Sequence, residues 1–190
     1  MEPTILVNRR KRLSKEDIPI HLREPNIPFY GSIGDSRRLL DEMAAKGAEA
    51  LFARAWEDGV RLYGISGYRS YERQEELYRA WQRKNDGDML SAVAPPGASE
   101  HQTGLALDVS CPMEKFELEE HFGETREGKW LVRHAPLFGF ILRYPKGKEQ
   151  ITEYPWEPWH IRYVTRSLSL YLALTGLTLE EYYEQRECLR

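Results

Sequence analysis

The chain has 190 residues, 41% of them hydrophobic and 30% charged, with a formal net charge of −3 and acidic and basic residues interspersed. That composition suits one domain with a core large enough to stand without staples, and it offers no broad basic face for nucleic acid. No apolar run approaches the ~20 residues that cross a bilayer, and Cys111 and Cys188, lacking any CxxC partner, are too few for a disulfide framework or a zinc knuckle.

The opening segment MEPTILVNRRKRLS lacks the apolar core and small-residue cleavage site of a signal peptide, so the chain as it stands is expected to be soluble. Its NRRKR run, Asn8 to Arg12, reads as a solvated arm rather than a polyanion site. Several prolines and weak periodicity through DIPIHLREPNIPFYG make residues 1–34 an extended arm packed on a domain that occupies 35–190. A helix is expected from a cap at Asp35 or Ser36. Leu40, Met43, Ala44, Ala48, Leu51 and Ala55 then recur at helical spacing, interrupted only by Gly47, until EDG stops it.

In VRLYGISGYRS, Val60, Leu62 and Gly64 alternate with their neighbours, which predicts a strand ending in a glycine-containing turn. Ser70 can cap a helix through YERQEELYRAWQRK, with Leu77, Tyr78 and Trp81 on one face. A loop rich in Gly, Pro and Ala follows. LALDVSC then reads as a strand, KWLVRHAPLFG as a helix, and FILRYP and PWHIRYV as strands. The end is helical, with Thr178 and Glu181 forming a capping box ahead of EEYYEQRE. Short strands mixed with helices, without regular β-α-β alternation, predict an α+β fold: a small, mostly antiparallel sheet covered by helices.

Asp108 sits inside SEHQTGLALDVS, in a segment that otherwise reads as buried. An ionised carboxylate there needs a partner. Alone, Asp108 reads as the partner of an arginine or of a backbone turn. His101, however, is seven residues away, an odd spacing that points the two to opposite faces of one continuous strand. If Gly104 breaks the strand, Leu105, Leu107 and Val109 face one side, Ala106, Asp108 and Ser110 face the other, and His101 bends back from the entering loop toward Asp108.

EPWHIRYV adds Glu157 and His160 on a strand that begins at a proline. Taken one at a time, His160 reads equally as a core histidine bonded to a carbonyl, and Glu157 as a surface acid. Together, His101, Asp108 and His160 match the two-nitrogen, one-oxygen donor set of catalytic zinc, with a fourth position left for water. Glu157 would then be the unligated carboxylate that moves the proton while the metal acidifies the water and polarises the carbonyl. In SGYRSYERQ, Arg69 lies at a strand-to-helix turn, where its guanidinium can clamp a carboxylate or make an ordinary salt bridge; Gln74, one turn on, can add a neutral donor.

SGYRSYERQ, SEHQTGLALDVS and EPWHIRYV resemble, in order and spacing, the signature blocks of the VanY/LdcB-type zinc carboxypeptidases. That group also contains D-Ala-D-Ala dipeptidases and the hedgehog domain. The resemblance runs from LVN near Leu6 to GLTLEEYY and implies a hedgehog/DD-peptidase-like fold. It implies zinc held by His101, Asp108 and His160, Glu157 as catalytic base, Arg69 at the reacting carbonyl and terminal carboxylate, and Gln74 and Ser99 helping to hold that carboxylate. The activity it implies is removal of the C-terminal D-alanine from peptidoglycan stem peptides or their precursors, as a DD- or LD-carboxypeptidase; a monomer is expected, and the charge distribution predicts no nucleic-acid partner. Two features depart from the pattern. Family members commonly work outside the cell membrane, in the cell envelope, whereas this chain shows no export signal, which leaves a cytoplasmic place open; and Glu153 stands where glycine is expected. The alternatives are a peptidoglycan endopeptidase or lysin on the same scaffold, and a metal-retaining binding module without turnover. The carboxylate clamp speaks against the first and the presence of Glu157 against the second.

Overall fold

The computed structural model describes residues 1–84 and 93–188. The first half of the Gly, Pro and Ala-rich loop, residues 85–92, therefore lies outside the described residues. Strand β1 (Leu22–Arg23) pairs antiparallel with β2 (Leu40–Asp41) and ties the N-terminal segment to the domain. Val7, Leu13 and Ile27 from that segment are buried. The helix expected from Asp35 begins later. Asp35 caps only a 3-10 turn, Ser36–Arg38, its carboxylate accepting from the Arg37 N–H at 2.9 Å. Leu40 is drawn into pairing with Arg23, which keeps the backbone extended until Asp41 provides a second cap and accepts from Met43 N–H.

Helix α1 (Glu42–Glu57) then buries Ala44, Ala45, Ala48, Leu51, Phe52 and Ala55 along one stripe. Gly47 belongs in it for a packing reason: a Cβ there would meet the Phe138 carbonyl oxygen at 2.8 Å. β3 (Tyr63–Ser66) and α2 (Tyr71–Lys84) follow, then β4 (Ala106–Ser110). Helix α3 (Arg126–His134) starts earlier than its apolar pattern suggests, because Thr125 caps it through the Gly128 N–H. Pro136 passes the chain into a 3-10 turn, Ala135–Phe138, so the single expected helix is two pieces.

β5 (Phe140–Leu142), α4 (Glu149–Thr152), β6 (His160–Tyr163), α5 (Arg166–Thr175) and α6 (Leu179–Cys188) complete the chain. The capping box forms as its sequence predicts, with Thr178 N–H donating to Glu181 Oε2 at 2.7 Å and Glu181 N–H donating to Thr178 Oγ1 at 3.2 Å. Pairs β1/β2 and helix α4 carry no pattern that sequence reading picked out, being too short to show a period. Glu153 closes α4 in the left-handed region, φ 61°, which is why glycine is the residue expected there. Its carboxylate accepts from Arg10 Nε at 3.0 Å and Nη2 at 2.6 Å.

The main sheet has four strands in the order β3-β4-β6-β5, all antiparallel, and the fold is the expected α+β arrangement. Leu105, Leu107, Val109 and Ile161 join the α1 residues in one hydrophobic core. The other face of the sheet carries the polar residues. Ser66 is registered opposite Asp108, after an irregularity between Gly64 and Ser66, and Asp108 opposite His160. Directly opposed residues share a face, so Ser66, Asp108 and His160 form a row across three strands.

Candidate active site

The row opens into a cleft of about 290 Å³ lined by Arg69, Ser99, His101, Asp108, Glu157 and His160 among others. His101 reaches it from a 3-10 turn, Glu100–Thr103, that Gly104 closes at φ 70°. The break that the odd His101–Asp108 spacing requires is therefore there, and at the expected glycine. Nothing larger fits, since a Cβ on Gly104 would meet Leu22 Cδ2 at 2.7 Å and the Asp41 nitrogen at 3.0 Å.

His101, Asp108 and His160 are all buried, and each offers one ligand atom within 4.8 Å of the others. His101 Nδ1 lies 2.6 Å from the Gly67 carbonyl oxygen. A carbonyl only accepts, so Nδ1 carries a proton and the Nε2 lone pair of neutral His101 points to Asp108 Oδ2, 3.2 Å away. Two acceptors facing each other at that distance call for a cation between them. Burial favours neutral His101 by lowering its pKa, an effect that Asp108 opposes and Arg69 reinforces. His160 behaves differently. Burial would lower its pKa, but the carboxylates of Asp108, with Oδ1 2.9 Å from Nδ1, and of Glu100, with Oε2 3.4 Å from Nε2, lift it to about 9 by stabilising the protonated ring in the absence of a metal. Asp108 is held well below the usual carboxylate range, the two histidines outweighing its burial. A donor set of two imidazoles and one carboxylate, mutually close and with their orientation fixed from behind, fits a zinc-type metal.

Glu157 lies in the turn before β6 rather than on the strand. Its N–H donates to the Tyr144 carbonyl (3.1 Å) and its carbonyl accepts from His160 N–H (3.2 Å). That turn leaves its carboxylate beside the donor set, Oε2 standing 3.9 Å from His160 Nδ1. Burial pushes its pKa up to about 7, with His160 pulling the other way and Asp108 adding to the rise.

Arg69 follows β3, its backbone N–H bonded to the His101 carbonyl at 3.1 Å. Its guanidinium donates to Gln74 Oε1 (2.9 Å) and, at 3.4 Å, to Ser66 Oγ. Among the described residues it makes no ion pair, and burial lowers its pKa while Asp108 and, more weakly, Glu157 counter the effect at longer range. Gln74 is buried and uses its other end to donate to the Ala94 carbonyl at 2.6 Å, so both ends of its amide are engaged. Ser99 is buried where the 3-10 turn begins, at the cleft wall.

Sequence reading missed the layer behind His160. Glu100 accepts from Arg143 Nε and Arg162 Nη1, both at 2.7 Å, and the Tyr144 ring lies tilted against His160 with Tyr154 packed on Tyr144. A usable signal was present: Arg143 and Arg162 stand in the apolar strands FILRYP and HIRYV, where a charge needs a partner as much as Asp108 does.

The model of the VanY family, described as D-alanyl-D-alanine carboxypeptidase, matches residues 37–166. YodJ of Bacillus subtilis (strain 168) is 42% identical over 181 residues, which are 95% of this chain; the chain spans 66% of YodJ's length. Among solved structures, the LdcB LD-carboxypeptidase superposes with a TM-score of 0.91 at 41% identity, covering 94% of this chain and 84% of that one. A vancomycin-resistance D,D-pentapeptidase VanY in complex with Zn(II) superposes with a TM-score of 0.76 at 32% identity, covering 96% and 99%.

Proposed function

The chain belongs to the VanY family of D-alanyl-D-alanine carboxypeptidases, and from that premise we propose that it is a zinc carboxypeptidase removing the C-terminal D-alanine from peptidoglycan stem peptides. His101, Asp108 and His160 would hold the zinc. The observation that carries the reading is their convergence within 4.8 Å beside a part-buried carboxylate, Glu157, and a part-buried guanidinium, Arg69, that makes no ion pair among the described residues.

Zinc bound there would supply Lewis acidity, making a water more acidic and a peptide carbonyl more electrophilic. The protein's own groups do the rest. Glu157, with a pKa near neutrality, takes a proton from the attacking water and passes it to the departing amine of D-alanine. Arg69 binds the terminal carboxylate and stabilises negative charge that develops on the carbonyl oxygen. Gln74, its amide already engaged by Arg69 and Ala94, serves the substrate by keeping that fork aimed, and Ser99 adds a hydroxyl at the wall. Every group comes from one chain, which suits a monomer, and the substrate places the work at the cell wall. No helix among the described residues is long and apolar enough to cross a membrane.

Glu157→Gln tests the reading, because it removes the proton acceptor and leaves the ligands intact. Zinc content should match the parent while D-alanine release from peptides ending in D-Ala-D-Ala or L-Lys-D-Ala falls by about 10²–10⁴-fold. Near-parental release would take Glu157 out of the chemistry.

A further inference from the structure

Glu100 lines the cleft next to His101, yet nothing in the reaction above uses it. Its buried carboxylate is divided between two tasks. Oε1 accepts from Arg143 Nε and Arg162 Nη1, each at 2.7 Å, while Oε2 stands 3.4 Å from His160 Nε2. The arginines are themselves held: Arg143 makes a paired bond to Glu180, and Arg162 donates to the carbonyls of Pro3, Ile5 and Tyr163. Glu100 and Glu180 balance Arg143 and Arg162 in charge without calling on the histidine. With Oε1 pinned by two charged donors, Oε2 has one direction left to point.

Resting on the zinc reading of this site, we propose that Glu100 is a positioning residue for the metal centre: its Oε2 holds the Nε2 proton of His160, so that Nδ1 presents its lone pair to the ion. A neutral imidazole carries one proton, and the nitrogen that carries it cannot ligate. Asp108 Oδ1, 2.9 Å from Nδ1, competes for that proton from the wrong side. Left alone with Asp108, His160 would settle as the Nδ1–H tautomer and turn a donor toward the metal position. Glu100 supplies the rival acceptor on the far side of the ring, and the arginine pair keeps it there.

Glu100→Gln separates this role from simple packing. Glutamine keeps the shape but has one oxygen, and the two arginine donors demand that oxygen at the Oε1 position. Its NH2 group then faces His160 Nε2 as a donor, which enforces the Nδ1–H tautomer. Zinc affinity, measured by competition with a chromogenic chelator, should fall by about 10–100-fold. Thermal unfolding followed by circular dichroism checks that the variant is folded. A second measurement needs no variant: nitrogen-15 NMR of the zinc-loaded parent with labelled histidine should show His160 protonated at Nε2 and ligated through Nδ1. Parental affinity in Glu100→Gln, or ligation of His160 through Nε2, overturns the proposal while leaving the zinc enzyme standing. A parent protein that takes up no zinc removes both together.

Discussion

Behind His160, acid and base are matched: Glu100 and Glu180 interlock with Arg143 and Arg162, four charged side chains all buried in the fold. At the Arg69 side of the same cleft, a part-buried guanidinium has a glutamine amide and a serine hydroxyl in hydrogen-bonding range. Burial lowers the pKa of both arginines, but their net shifts run in opposite directions as a result. Arg143 is lifted well above its ordinary value because Glu100 and Glu180 outweigh desolvation, whereas desolvation wins at Arg69 and lowers it. A matched buried charge holds structure together. A cation without a carboxylate partner among the described residues is open to an anion that binds, which is the role proposed for Arg69.

The largest expected effect comes from breaking the matched side. Arg143→Met fills a similar volume but leaves Glu180 with only the Asn8 amide and Glu100 with one arginine, and uncompensated buried charge of this kind costs roughly 3–5 kcal/mol. Urea denaturation should show the midpoint falling by that equivalent at unchanged slope. A loss below about 1 kcal/mol would mean that the cluster is not structural.

Arg69→Met should do the reverse. No carboxylate is stranded by it, and relief of the desolvated charge offsets the donor lost to Gln74 Oε1, so stability should stay within about 1 kcal/mol of the parent, while kcat/KM on a peptide ending in free D-Ala-D-Ala falls by about 10²–10³-fold, the worth of one well-placed charged donor. The clamp makes a second demand. A C-terminal amide offers no anion, so the parent should cleave the amidated peptide far more slowly than the acid, and Arg69→Met should narrow that gap by harming the acid more. Equal cleavage of acid and amide by the parent would refute the clamp and favour an endopeptidase.

The same contrast explains what was readable beforehand. Asp108 stood out because a charge interrupted an apolar alternation, and Gly104 stood out because the spacing to His101 needed a break; both are local signals with long-range consequences. Arg143 and Arg162 carried the same local signal in FILRYP and HIRYV, but their partner Glu100 lies 43 and 62 residues away, with no spacing rule to join them. Gln74 reads as a substrate donor from what its side chain can offer; the sequence does not show that one of its two amide hydrogens goes to the Ala94 carbonyl and its oxygen to Arg69. Helix α1 starts later than the sequence predicts for a related reason. Asp35 and Asp41 are both competent caps, and only the pairing of Leu40 with Arg23, set by tertiary structure, chooses between them. Elements of two to four residues, such as β1 and α4, are built by their surroundings and leave no period to find.

The smallest effect sharpens the comparison from outside the cleft. Glu49 on α1 accepts both Arg23 Nη1 and Nη2, at 2.7 and 2.9 Å, and the Asn26 N–H at 2.8 Å, which fastens the N-terminal arm to the domain. It too is a matched charge, but it is about one-third exposed, and water screens it. The Arg23 hydrogen bond, helped by the Asn26 N–H, still lowers its pKa to about 2. A carboxylate depressed in the folded state contributes stability above its unfolded pKa of ~4.3 and loses it as pH falls through the folded value. Glu49→Gln should therefore be less stable than the parent by up to ~1 kcal/mol at pH 6, and the gap should narrow by pH 3 as the unfolded parent gains the proton that its folded state resists. Paired urea titrations at the two pH values measure it. A gap that widens toward pH 3 would mean that the arm is held by packing of Val7, Leu13 and Ile27 alone and that Glu49 opposes it.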